Sequence, residues 1–180
     1  MTQELYQNAI KFAGEKHCNQ KVPGTNSNYL LHLSNVAMEI LVAYSFKSNF
    51  DINYAIQVAL LHDTIEDTDT KFEELKDKFG ESIANAVQAL SKNDDIALKE
   101  DRMLDSLNRI NKQEKEVGMV KLADRITNLQ TPPNHWNKEK IIKYWEEAKI
   151  ISSKLNNKNK YLNERLKSKI TEYEGFFNSF

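Results

Sequence analysis

Apolar residues in this chain recur at the spacing of an α-helix, and no stretch alternates apolar with polar residues for long. A helix repeats every 3.6 residues and a strand every 2, so the pattern predicts helices throughout. Leu5, Ala9, Phe12 and Ala13 share one face, as do Leu33, Val36, Ala37, Ile40 and Leu41, with His32 at the N-terminal edge of that second stripe. Residues 54–63 are apolar almost all round, the mark of a central buried helix. Thr70-Lys71-Phe72-Glu73 has the form of a capping box; Phe72, Leu75 and Phe79 then share a face, and Gly80 suits a helix C-terminus. Ile83, Val87 and Leu90 form a further stripe, and Met103, Leu107 and Ile110 another. Residues 116–130 are helical in pattern, and Pro132-Pro133 prevents continuation. Two late helices, 138–155 and 160–176, carry Ile141, Trp145, Ala148 and Ile151, then Leu162, Leu166, Ile170 and Tyr173.

Residues 20–28, with Pro23 and Gly24, and residues 92–101 are expected to be loops. No internal repeat or low-complexity linker interrupts the pattern. The expectation is a single all-α domain over 1–180, a bundle of about eight or nine helices with a core over 5–155 and a C-terminal helix. At 180 residues the chain is long enough for one real core and too short to suggest two.

A formal net charge of −1 argues against a nucleic-acid partner, because no cationic excess exists to displace counterions. Lysines cluster at 138–143 and 154–160, but Glu and Asn interleave them, as on solvated helix faces. The single cysteine, Cys18, cannot form an internal disulfide, which fits a reducing compartment. The opening Met-Thr-Gln-Glu-Leu-Tyr has neither a basic nor an apolar signal region. No apolar run approaches the ~18 residues of a membrane span. A soluble, cytoplasmic domain with no membrane partner is expected, and the sequence leaves a homo-oligomer open.

The run Leu60-Leu61-His62-Asp63-Thr64-Ile65-Glu66-Asp67-Thr68-Asp69 places one histidine and four carboxylates directly behind the apolar stretch 55–61. Imidazole plus carboxylate binds a divalent cation, and a cation beside spare carboxylates is a means of activating water. Adjacent helical residues point about 100° apart. His62 and Asp63 can therefore reach one ion only near a helix end, which Thr64 to Asp69, short on helix formers, supplies. Further ligands must come from other helices: His32 opens an apolar helix, and Asp124 lies inside the buried-looking stripe Val120-Lys121-Leu122-Ala123-Asp124-Arg125-Ile126.

Each residue also has a purely structural reading. His32 suits a hydrogen-bonded core histidine, and Asp124 beside Arg125 suits an internal ion pair. The 66–69 segment suits a solvated acidic loop or an N-cap cluster for the helix after Thr70. Together these readings demand four separate coincidences of ligand-type residues at helix ends and in buried stripes.

The order His32 … His62-Asp63 … Asp124 resembles the H…HD…D signature of HD-domain metal-dependent phosphohydrolases. The segments 59–68 and 120–129 are similar to one branch, the hydrolase domain of the RelA/SpoT homologues, and the length suits its free-standing form, the Mesh1-like small alarmone hydrolases. The resemblance runs from about residue 5 to 155. It implies a (p)ppGpp 3′-pyrophosphohydrolase that converts guanosine 3′,5′-bis(diphosphate), or the pentaphosphate, to GDP or GTP plus pyrophosphate with one Mn²⁺. His32, His62, Asp63 and Asp124 match the metal ligands, and Glu66 and Asp67 match the acidic pair that positions and deprotonates water. Asn128 matches a contact to the nucleotide sugar, Thr131 falls where a nucleotide contact is expected, and Tyr144 matches a pocket tyrosine of the late helix.

Two departures stand out. The family usually has Arg-Lys in the loop before the first helical histidine; on this alignment Lys21 is retained, as a phosphate contact, and Gln20 takes the arginine position. Its Tyr-Ile-x-His-Pro becomes Tyr29-Leu30-Leu31-His32-Leu33, without the proline. The loss of arginine bears on guanine recognition more than on catalysis. Synthetase, TGS and ACT regions are absent from the 180 residues. Two alternatives stand beside the first reading: an HD phosphohydrolase for another phosphorylated nucleotide, and a catalytically silent nucleotide-binding regulatory HD module. The intact Glu66-Asp67 pair counts against the second.

Overall fold

Helix α3 (Ile52–Leu61) is the hub of the molecule because it buries residues on every side: Ala55, Ile56, Val58, Ala59, Leu60 and Leu61 are all enclosed. Asp51 starts it, accepting hydrogen bonds from the backbone N–H groups of Asn53 and Tyr54 at 2.9 and 3.1 Å. Around α3 pack α1 (Thr2–Lys16), α2 (Leu30–Phe46), α6 (Glu81–Leu90) and α8 (Lys115–Asn128). The computed structural model describes residues 2–178; residues 1, 179 and 180 of the expected 1–180 domain, and the side chain of Lys99, lie outside the description.

The remaining elements are α4 (Thr64–Asp67), α5 (Phe72–Phe79), α7 (Lys99–Asn111), α9 (Lys138–Lys154), α10 (Lys160–Tyr173) and α11 (Gly175–Asn178). Nine helices among the described residues have eight residues or more, and α4 and α11 are single turns. The β structure in this all-α domain is confined, among the described residues, to an isolated bridge between Lys21 and Asn28. No described helix is long and apolar enough to cross a membrane.

The stripes read from sequence face the core, with instructive exceptions. Leu41 is 37% exposed, at the edge of the α2 face rather than in it. The capping box does not form: Lys71 is the N-cap of α5 and no side chain caps it. Thr70 is buried and its hydroxyl pairs instead with that of Thr68 at 2.8 Å, so a local tertiary partner displaces the capping geometry. The second loop is shorter than expected, since α7 begins at Lys99. Gly80, at φ 89°, is the single residue joining α5 to α6, a backbone conformation that favours glycine.

Because Ile56 is 1% exposed and away from the polar cluster, Ile56→Ala is expected to cost ~2–5 kcal/mol in urea unfolding. A loss below ~1 kcal/mol would mean that α3 is not the packing centre.

Candidate metal centre and its two cavities

Three helices deliver the polar cluster. His62 caps the C-terminus of α3, and Asp63 (φ −100°, ψ 0°) stands just before α4. The chain turns between them, which lets neighbouring side chains converge: His62 Nε2 lies 2.9 Å from Asp63 Oδ2. His32, in the first turn of α2, brings Nε2 to 3.4 Å from His62 Nε2 and 3.5 Å from Asp63 Oδ2. Asp124, from the middle of α8, places Oδ1 3.4 Å from His32 and 3.8 Å from His62. His32, His62 and Asp124 each offer one ligand atom within 4.8 Å of the others, and all three are buried. All four residues expected to share an ion are thus together.

The surroundings prepare this donor set for a cation. His62 Nδ1 faces the Ala59 carbonyl at 2.8 Å, so a proton there leaves the Nε2 lone pair aimed into the cluster. Tyr29 donates to Asp63 at 2.6 Å, and Lys121 and Asn128 donate to Asp124. Burial opposes charge on His62, but the carboxylates of Asp63 and Asp124 outweigh it and push the imidazole up to about 10. Burial likewise opposes ionisation of Asp63, yet His62 and His32 hold it well below the usual carboxylate range; for Asp124, Lys121 and the two imidazoles do the same. The buried Asp124 and the half-buried Asp63 demand positive charge between them, and a divalent ion supplies it better than protons on the imidazoles.

The acidic pair of α4 divides. Glu66 is engaged by Lys92, through its backbone N–H at 2.9 Å and its ammonium at 2.6 Å. Asp67 accepts from the Gln20 amide at 2.8 Å. Enclosure by the cleft walls, followed by the charge of Asp63, raises the Asp67 pKa. Asp69, the fourth carboxylate of the run, points away and pairs with Lys16 at 3.1 Å.

Two cavities meet at this centre. One, of about 620 Å³, is lined by Asp63, Glu66, Asp67 and Asp124 together with the cations Lys92, Arg102, Lys121 and Arg125. The other, of about 740 Å³, is walled by Val22, Pro23, Thr131, Pro133, Trp136 and Tyr144, with His32 at its inner end. Asn128 and Tyr144 line both. The Arg125 guanidinium lies 4.1 Å from the Tyr144 ring centre and holds that ring between the two spaces.

Asn128, Thr131 and Tyr144 therefore converge as expected, but Lys21 does not. Its backbone bridges to Asn28, its side chain is exposed, and it lines neither cavity; Val22 and Pro23 do. Gln20 does not face the aromatic cavity either, since its amide is held by Asp67. Nor does Asp124 pair with Arg125: its partner is Lys121 at 2.9 Å, and Arg125 meets Glu147 at 3.4 Å. Sequence reasoning missed Tyr29, Lys92, Arg102, Lys121 and Arg125. Lys121 carried a signal, since it lies three residues before Asp124 on a helix; Lys92 and Arg102 come from a loop and α7 and carried none.

An all-α bundle that gathers two imidazoles and two carboxylates from α2, the α3–α4 junction and α8 defines a helical protein with the donor set for a divalent cation. A family model described as HD domain matches residues 9–160. The chain belongs to the HD-domain family. A zebrafish (Danio rerio) protein named guanosine-3′,5′-bis(diphosphate) 3′-pyrophosphohydrolase MESH1 is 33% identical over 169 residues, covering 91% of each chain. An Aquifex aeolicus protein named guanosine-3′,5′-bis(diphosphate) 3′-pyrophosphohydrolase is 37% identical over 130 residues, 71% of this chain and 18% of that one. A solved structure described as a metazoan orthologue of SpoT that hydrolyses ppGpp and plays a role in starvation responses superposes with a TM-score of 0.80 at 25% identity, covering 96% of each chain.

Proposed function

We propose that this chain is a Mn²⁺-dependent, cytoplasmic 3′-pyrophosphohydrolase of guanosine 3′,5′-bis(diphosphate) or the pentaphosphate, releasing pyrophosphate and GDP or GTP. The carrying observation is the meeting of an aromatic cavity and a cationic, acid-bearing cavity at one His/Asp cluster. A nucleoside seated among Trp136, Tyr144, Asn128 and Thr131 would direct its 3′-diphosphate past His32 toward Lys121 and Lys92. His32, His62, Asp63 and Asp124 would hold the ion. When bound, the ion would supply Lewis-acid activation of a phosphate oxygen and of water.

The residues of the chain do the rest. Asp67, with its raised pKa and one oxygen unengaged among the described residues, is the better proton acceptor, and Glu66, tied to Lys92, orients the water and the ammonium beside it. Lys121 and Arg102 neutralise phosphate charge as it develops. The loop that walls the aromatic cavity presents Val22 and Pro23, with no charged side chain. That observation favours one second reading, an HD phosphohydrolase with relaxed base choice.

The test is a panel of guanosine and adenosine 3′,5′-bis(diphosphates) and 5′-diphosphates, assayed for pyrophosphate and orthophosphate. Pyrophosphate from the 3′-diphosphates alone is expected. Orthophosphate from 5′-diphosphates would overturn the reaction type, equal rates for both bases would favour the second reading, and no product would leave a silent binding module. Tyr144→Ala is expected to raise KM about 10-fold or more, with kcat changed far less, because it removes binding surface remote from the reacting bond. A fall in kcat at constant KM would contradict that placement.

A further inference from the structure

His17 is fully buried, directly after α1, in a position that packing alone would fill with an apolar residue. Its Nδ1 lies 2.6 Å from Gln20 Oε1, and Gln20 Nε2 lies 2.8 Å from Asp67 Oδ2. Its ring stacks on Tyr29 with centres 5.0 Å apart, and Tyr29 donates to Asp63. The histidine is thus braced by the same tyrosine that touches the metal cluster. We propose that His17 and Gln20 are positioning residues for Asp67, an imidazole–amide pair that fixes one carboxylate oxygen and leaves the other for the attacking water.

Only one proton arrangement satisfies all three groups. An ionised carboxylate can only accept, so Gln20 must present its NH₂ to Asp67. The amide oxygen then faces His17, which must carry a proton on Nδ1. Burial lowers the His17 pKa, so the ring is neutral and its single proton is committed there. The other nitrogen, Nε2, is buried without a hydrogen-bond partner among the described residues. A bare acceptor is the less costly of the two orphans, which again places the proton on Nδ1. Asp67 Oδ1 takes no hydrogen bond among the described residues, and Asp67 lines the cationic cavity on one side and the shallow cleft that contains Gln20 on the other. The pair therefore acts from behind the carboxylate, without entering the substrate space.

This inference rests on the proposed hydrolase reading, in which Asp67 takes the proton. Gln20→Leu and His17→Leu are each expected to lower kcat for pyrophosphate release about 10-fold or more, with KM changed less than ~3-fold and bound Mn²⁺ unchanged. The double variant should be no worse than Gln20→Leu, since both act through one carboxylate. His17→Asn, whose side-chain N–H reaches the place of Nδ1–H, should recover most of the loss. In an Asp67→Asn background, Gln20→Leu should cost nothing further; an equal loss there, or a change confined to KM, overturns the proposal. Should His17→Leu fail to fold, the half-buried Gln20 position carries the kinetic test. Long-range ¹⁵N–¹H spectra give a readout independent of turnover: an Nδ1–H tautomer is expected, and an Nε2–H ring overturns the relay. An Nδ1–H ring in a chain that hydrolyses no alarmone would sink the hydrolase reading and leave the relay geometry standing.

Discussion

Asp67→Asn is expected to lower kcat by about 10²–10⁴-fold, the range for loss of a positioned general base. The amide keeps the size of the side chain and can still accept from Gln20, so folding and bound metal should be unchanged. Glu66→Gln should also lower kcat, because the Lys92 ammonium 2.6 Å away loses its charged partner and the cavity gains an uncompensated cation. Steady-state kinetics with metal analysis separates the alternatives. Loss of bound metal in Glu66→Gln would make Glu66 a ligand, and unchanged kcat in both amides would return the pair to a helix-capping role.

Removal of a metal ligand should have the second large effect. Asp124→Ala leaves the half-buried Lys121 without its carboxylate partner and takes one carboxylate from the donor set. Metal affinity is expected to fall by at least the ~10–100-fold typical of losing even an outer partner of a metal ligand, and activity should fall with it. The pH dependence of metal affinity has a definite sign. In the metal-free protein His62 holds a proton up to about 10, and that proton must leave before Nε2 can ligate. Metal affinity should therefore rise with pH across the neutral range, with proton release on binding. Calorimetry in buffers of different ionisation enthalpy reads this directly; binding with no proton release would contradict the assignment of His62.

The sequence revealed the parts of this site that are dense and local. His62-Asp63 behind an apolar run could serve one ion only at a helix end, and α3 does end at Leu61. Asp124 in a buried stripe demanded a partner, which the fold supplies as Lys121, His32 and His62. What was not legible depends on side chains meeting across long separations. Lys92 reaches Glu66 from a loop, Tyr29 reaches Asp63 across 34 positions, and His17 joins the site through Gln20 and the Tyr29 ring. The capping box failed for a different, local reason, since the Thr70 hydroxyl pairs with that of Thr68 two residues before it rather than with the α5 backbone. The resemblance puts Lys21 at a phosphate, whereas the bridge to Asn28 turns the loop so that Val22 and Pro23 meet the cavity.

Metal dependence and reaction are tested together by stripping the protein of metal, returning Mn²⁺ in measured steps, and following pyrophosphate formed from guanosine 3′,5′-bis(diphosphate). Negligible turnover in chelator and a linear rise that saturates at one ion per chain are expected. Full turnover in the stripped protein, or a restored protein that releases no pyrophosphate, would contradict the proposed function.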